Sequence, residues 1–150
     1  MENIEFLFQK HKNDVYRLAV SYTKNLQDAD DVCQNVFLKL MRQPNIDPGK
    51  EKRWLLQVTA NECRSLLRSY WWRTTVPMED NLSVSGPEPN YVSEALLQLN
   101  PKYRVVLYLY YYEGFSTLEI AQMLKISQST VTTRLSRSRK ELKKLLKEEA

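Results

Sequence analysis

The chain reads as all-α: two small helical domains joined by a flexible acidic linker, the C-terminal one a helix-turn-helix. Three observations predict this. Apolar residues recur at helical spacing through most of the 150 residues, and the alternation of a half-buried strand is scarce. Glycine occurs only three times, too seldom for an architecture of many short strands and turns. The stretch 74–92 interrupts the helical pattern with Pro77, Gly86, Pro87 and Pro89. Its only charges are Glu79, Asp80 and Glu88, all acidic, in a chain of net charge +4. A first domain over 1–73, a linker over 74–92 and a second domain over 93–150 follow. Fully stretched, such a linker reaches roughly 60 Å at about 3.3 Å per residue, far enough to let two domains touch distant sites on one partner.

The first helix is expected over about 2–22, with Ile4, Leu7, Phe8, His11, Val15, Leu18, Ala19 and Tyr22 on one stripe. Asn25 to Asp28 breaks it. The second helix is expected over about 28–42, burying Ala29, Val32, Cys33, Val36, Phe37 and Leu40. Asp28, Asp30 and Asp31 fall in its first turn, where the positive end of the helix dipole favours acids. Asp31, Asn35 and Lys39 form an exposed ridge, with Asp30 and Gln34 beside it.

Pro44, Pro48 and Gly49 mark a turn, and a third helix is expected over about 50–72. Leu55, Val58, Glu62 or Cys63, Leu66 and Tyr70 give its buried face. The opposite face carries Trp54, Gln57, Asn61, Arg64, Arg68 and Trp71, followed by Trp72 and Arg73. Indole rings stack on unpaired bases while guanidinium groups neutralise phosphate, so this face suits single-stranded nucleic acid. Packing of the tryptophans on neighbouring helices explains the same spacing equally well.

In the second domain, Ala95, Leu96, Leu97 and Leu99 mark a short helix. Asn100 caps the next, with Pro101 at its first position and Tyr103, Val106, Leu107, Tyr110 and Tyr111 along it. The tyrosines read as core and domain surface, and Gly114 ends the helix. Two further helix starts follow. Ser116 and Glu119 form a capping box, flanked by the staple pair Phe115 and Ile120. Ser127 caps the last helix, with Ile126 and Val131 as its staple. The interval leaves about two helical turns and a tight corner, the layout of a helix-turn-helix.

The last helix has two faces. Val131, Leu135, Ser138, Leu142 and Leu145 form the buried stripe. Gln128, Ser129, Thr132, Thr133, Ser136 and Arg137 point elsewhere and carry groups that read base edges or hold phosphates. Between Lys125 and Lys147 eight Lys or Arg stand against one acid, Glu141. A basic amphipathic helix alone is commonly just a solvated surface; coupled to a second capped helix at this spacing, it points to duplex DNA.

Several function classes lose support. The single histidine, His11, lies on an apolar stripe, and no nucleophile elbow, phosphate loop or metal-ligand spacing occurs. No enzyme activity, metal, cofactor or small-molecule substrate is expected. Cys33 and Cys63 read as small buried thiols. The longest apolar run, Val105 to Tyr112, is too short to span a bilayer. The start Met-Glu-Asn lacks the basic and apolar regions of a signal peptide, so a cytoplasmic location is expected.

Laid end to end, these motifs resemble the extracytoplasmic-function group of bacterial RNA polymerase sigma factors. The resemblance runs through Asp28-Ala29-Asp30-Asp31-Val32-Cys33-Gln34-Asn35-Val36-Phe37, then Trp54-Leu55-Leu56 with Asn61 and Arg68. It continues through Leu99-Asn100-Pro101 to Arg104, Tyr111-Tyr112-Glu113-Gly114, Glu119-Ile120-Ala121 and Ser127 to Arg134. Each stretch is weak alone; their order and spacing are specific. The resemblance implies that Asp30, Asp31 and Gln34, with Phe37 beneath, dock on the β′ clamp helices of core RNA polymerase, and that the β flap is a second contact. It implies that Trp54, Asn61, Arg64, Arg68, Trp71 and Trp72 melt and read the minus-ten promoter element. Gln128, Ser129, Thr130, Thr132, Thr133, Arg134 and Arg137 would read the minus-thirty-five element as duplex. The linker would thread toward the RNA channel, and an anti-sigma factor, often membrane-bound, is an implied partner. Two positions depart from the pattern: Ser65 stands where the family often has an acid, and Lys125 where many members have glycine. The rival readings are a stand-alone helix-turn-helix regulator and a sigma-like adaptor that binds polymerase but no promoter.

Overall fold

The computed structural model describes residues 4–42, 45–73 and 91–149, with side chains outside 69–73, 91–94 and 148–149. Every described element is helical. Contacts divide the chain between Asp80 and Asn81 into two compact units. The expected linker lies outside the described residues except for Tyr91 and Val92, which are helical. The first described helix of the second unit starts at Tyr91, two residues before the expected start of the second domain.

The first unit is three mutually packed helices: α1 (Ile4–Thr23), α2 (Leu26–Arg42) and α3 (Glu51–Arg73). In α1 the predicted stripe buries Leu7, Phe8, Val15, Leu18, Ala19 and Tyr22, while Ile4 and His11 are half-buried. The corner after it is made by Lys24 in the left-handed region, φ 50°. Asn25 then caps α2, its Oδ1 accepting from the Asp28 N–H at 3.0 Å. The helix thus starts at Leu26, two residues before the expected 28, and Asp28 lies buried inside its first turn. Phe37 is half-buried with its ring 4.8 Å from that of Phe8. After the turn at Gly49, φ 82°, backbone N–H groups of Glu51 and Gly49 hold the Glu51 carboxyl below its usual range at the start of α3.

The core face of α3 differs from the expectation. Leu55, Leu56, Thr59, Ala60 and Cys63 are buried; Val58, Glu62 and Leu66 are only half-buried. The helix packs on both α1 and α2, so its buried arc is wide and rotated. Thr59 hides from a polarity pattern because its hydroxyl donates to the Leu55 carbonyl at 2.7 Å, which satisfies it in the core. Leu18, Leu40, Leu55 and Leu56 are almost wholly enclosed. Each such side chain contributes about 1.5–3 kcal/mol by leaving water, and truncation to Ala costs about 2–5 kcal/mol.

The second unit comprises α4 (Tyr91–Gln98), α5 (Pro101–Leu107), α6 (Thr117–Leu124) and α7 (Gln128–Glu149). Asn100 caps α5 by accepting from the Lys102 N–H at 3.1 Å, with Pro101 at the first position. Arg104 is buried and donates to the carbonyls of Leu97 and Leu99, satisfying groups that the end of α4 leaves open. The predicted tyrosine-bearing helix does not run straight to Gly114. It changes to a π-helical turn over Tyr108–Tyr112, with the Glu113 N–H donating to the Tyr108 carbonyl at 3.0 Å. The wider turn shifts the register, so Leu109 takes the core position and Tyr110, Tyr111 and Tyr112 are exposed. Gly114, φ 80°, then turns the chain into α6.

Both predicted helix starts of the helix-turn-helix are present. The Ser116 hydroxyl accepts from the Glu119 N–H at 3.1 Å, and the Glu119 carboxylate accepts from the Ser116 N–H at 3.0 Å. Ser127 caps α7 by accepting from the Thr130 N–H at 3.1 Å. Between them Lys125 adopts the left-handed conformation, φ 58° and ψ 44°, and Ile126 donates to the Ala121 carbonyl at 3.1 Å. Val131, Leu135 and Ser138 are buried; Leu142 and Leu145 are half-buried. No helix among the described residues is long and apolar enough to cross a membrane.

Candidate polymerase and nucleic-acid interfaces

On α2, Asp30, Asp31, Gln34 and Asn35 are all exposed, projecting from the side opposite the core. The helix presents an acidic and amide ridge because its apolar residues are spent on α1 and α3. Asp30 also acts inward: burial and then its negative charge push the Cys33 thiol up to about 11. Lys39, which the pattern placed on the ridge, forms an ion pair with Glu62 of α3. The ridge continues in a way the sequence reading missed. Steps of four, four and three from Asp30 through Gln34 lead to Leu38 and Met41, which are 50% and 53% exposed. The spacing alone carried that signal; two large apolar side chains left in water at the end of a polar row mark a contact surface.

On α3, Trp54, Gln57, Asn61 and Arg64 are half-buried and Arg68 is exposed. The side chains of Trp71 and Trp72 lie outside the described residues. Arg64 donates to the Asn61 side-chain oxygen, which couples the two into one polar unit. Arg68 donates to the Ser65 hydroxyl at 3.4 Å, a long neutral-acceptor hydrogen bond where an acid would offer an ion pair. Trp54 also lines a cavity of about 370 Å³ between the turn before α3 and the helix's first turns. Lys50 and Arg53 bring two cations to it, and Asn45, Asp47 and Gln57 bring hydrogen-bonding groups. Of these, only Trp54 was named as a site residue and Gln57 as part of the mixed face. The others sit in a turn whose convergence on α3 no linear pattern reveals. A cavity with an indole wall, amides and cations is chemically suited to an extruded base and its phosphate.

On α7, Ser129, Thr132, Thr133, Ser136 and Arg137 are exposed, as is Gln128, while Thr130 and Arg134 are half-buried. Four of the expected readers are engaged locally, Ser129 through a hydroxyl–hydroxyl contact of 3.1 Å with Ser127. Gln128 donates to the Thr117 hydroxyl at 2.8 Å, tying the start of α7 to the start of α6. The Thr130 hydroxyl shares a hydrogen bond of 2.7 Å with the capping Ser127. The Thr132 hydroxyl donates back to the Gln128 carbonyl at 3.1 Å. Thr133, Ser136 and Arg137 project from the face opposite the buried stripe, which is the side a major groove meets.

Two family matches cover most of the chain. Residues 7–73 match Sigma-70 region 2, and residues 90–142 match Sigma-70, region 4. The ECF RNA polymerase sigma factor SigL of Mycobacterium tuberculosis is 31% identical over 155 residues, covering 95% of this chain and 88% of SigL. The chain belongs to the ECF RNA polymerase sigma factors. SigE of Mycolicibacterium smegmatis, 29% identical, covers 97% of this sigma factor, which spans 62% of the SigE length. In fold it is similar to the sigma factor RpoE of Bartonella quintana, solved in complex with the anti-sigma factor NepR. That match has a TM-score of 0.75 and 22% identity over 93% of this chain and 94% of RpoE.

Proposed function

We propose that this sigma factor joins core RNA polymerase, opens promoters at the minus-ten element and anchors on the minus-thirty-five element. The observation that carries the reading is a separation of chemistries. One unit bears a mixed indole, amide and guanidinium face beside a base-sized cavity; the other bears a capped helix-turn-helix with an exposed cationic reader. In this reading Asp30, Asp31 and Gln34 of α2, supported by Phe37 and extended by Leu38 and Met41, grip the β′ clamp helices. Trp54, Asn61, Arg64, Arg68, Trp71 and Trp72 hold the separated strand, with the cavity beside Trp54 taking one base. Thr133 and Arg137 read the duplex, Ser129, Thr132 and Arg134 flank them, and Gln128 and Thr130 hold the helix start. Residues 1–73 form the first working domain, 74–92 the linker and 93–150 the second.

The polymerase supplies the chemistry of RNA synthesis, and this chain supplies binding energy. Phosphate contacts position it, and each good base contact is worth about 1–3 kcal/mol of discrimination. The protein works in the cytoplasm, where an anti-sigma factor restrains it. Adding the purified protein to core polymerase with a genomic DNA library tests the reading. It predicts transcripts starting at a discrete set of sites that core alone does not use. Co-elution with polymerase but no new start sites would leave the adaptor; no co-elution would leave the stand-alone regulator.

A further inference from the structure

Arg139 lies outside the residues assigned so far. It sits on α7 with its Nη1 donating to the Tyr111 hydroxyl at 2.6 Å, across 28 residues of sequence. Its guanidinium carbon stands 5.9 Å from the centre of the Tyr111 ring. Tyr111 is braced in turn by Tyr110, edge-on at 4.9 Å. Both partners are exposed, Tyr111 to 57%. The π-helical turn puts Tyr111 there; a regular helix would present a different residue. Among the described residues, none of the other cations of α7 makes a hydrogen bond or ion pair. Arg134, Arg137, Lys140, Lys143, Lys144 and Lys147 all lack one. One cation on this helix is thus held in place by another element, and its partner is a neutral hydroxyl that leaves its charge uncompensated.

Position decides what that charge meets. Arg139 follows Gln128 by eleven residues, about 16 Å along the helix axis. In a helix-turn-helix the N-terminal residues of the second helix contact the base edges, so a residue this far along α7 lies beyond the base-reading part. Helical side chains lean back toward the N-terminus, which brings the guanidinium down toward the groove rim. Phosphates form that rim. Arg139 lies on the same flank of α7 as Gln128 and Thr132, beside the base-facing row rather than on it.

We propose that Arg139, pre-oriented by Tyr111, is a sequence-independent phosphate contact on the duplex that α7 enters. The proposal rests on the duplex-binding reading of α7. Tyr111 acts as a positioning residue: it occupies one donor of the guanidinium fork and leaves the remaining donors for phosphate oxygens.

The test uses the full chain and duplex oligonucleotides that it enriches from a random library, with affinity measured across a salt series. Arg139→Ala is expected to weaken binding about fivefold, equally on enriched and scrambled duplexes, and to lower the salt slope by about 0.9. Arg139→Lys is expected to restore the slope. Tyr111→Phe is expected to keep the slope and lose about two- to threefold in affinity. Arg139→Gln replaces Arg139→Ala if the alanine variant does not fold, with the same loss of slope expected. Wild-type binding of normal salt dependence with the Arg139→Ala slope unchanged overturns this proposal alone. Loss confined to the enriched sequence would make Arg139 a base reader and also overturns it. Wild-type binding without salt dependence overturns the duplex-binding reading and this proposal together.

Discussion

Lys125 holds a left-handed backbone where a side chain costs energy that glycine does not. The corner accepts it because the strain is local and the Ile126 N–H still reaches the Ala121 carbonyl. Lys125→Gly is therefore expected to stabilise the second unit by about 0.5–1 kcal/mol. Gly114→Ala, at φ 80° with open space around the added carbon, is expected to destabilise it by about 1 kcal/mol through backbone strain alone. Thermal melts of the two variants check this, and a shift of the same sign in both would contradict it. The cysteines make a second case. Burial, then the charge of Asp30, raises Cys33 from 9.0 to about 11, and burial raises Cys63 as well. At pH 8 only about one Cys33 in a thousand is thiolate, so native protein should react with iodoacetamide far more slowly than protein in denaturant. The sign for stability follows: the protonated thiols favour the fold below about pH 9, and that contribution is lost as pH rises toward 11. Urea midpoints measured at pH 8 and pH 10.5 should fall with pH.

The helices were legible where burial follows a single stripe and less so where it does not. In α1 and α7 one face meets the core, and spacing alone picked it out. In α3 the buried arc takes in Thr59, a polar type whose hydroxyl is satisfied by the Leu55 carbonyl, and Ala60, which lies off the expected stripe. The π-helical turn had no sequence signal, because Tyr-Leu-Tyr-Tyr-Tyr suits an ordinary helix equally well. Caps fared better, since Ser116, Asn100 and Ser127 act through their own side chains within three residues. Of the candidate sites, the ridge on α2 and the readers on α7 were visible as surface patterns. The cavity beside Trp54 was not, since its walls come from a turn and a helix that meet only on folding. The ridge supports its own prediction. Asp31→Lys with Gln34→Lys reverses its electrostatics without touching the core, so melting should change little while affinity for core polymerase drops at least tenfold in a pull-down. Unchanged affinity would remove α2 from the docking surface.

At the scale of the whole molecule, the proposed function divides the work between the two units. In that reading the three packed helices meet polymerase and an unpaired strand, and the four helices with their capped helix-turn-helix meet duplex. Variants in one unit should therefore leave the other's task intact, as expected for sites without shared partners. Permanganate footprinting of promoter complexes is the most direct check. With holoenzyme carrying Trp54→Ala and Arg68→Ala, the account predicts nuclease protection of the minus-thirty-five element but no permanganate-reactive thymines at minus ten. Normal thymine reactivity in that complex would contradict it.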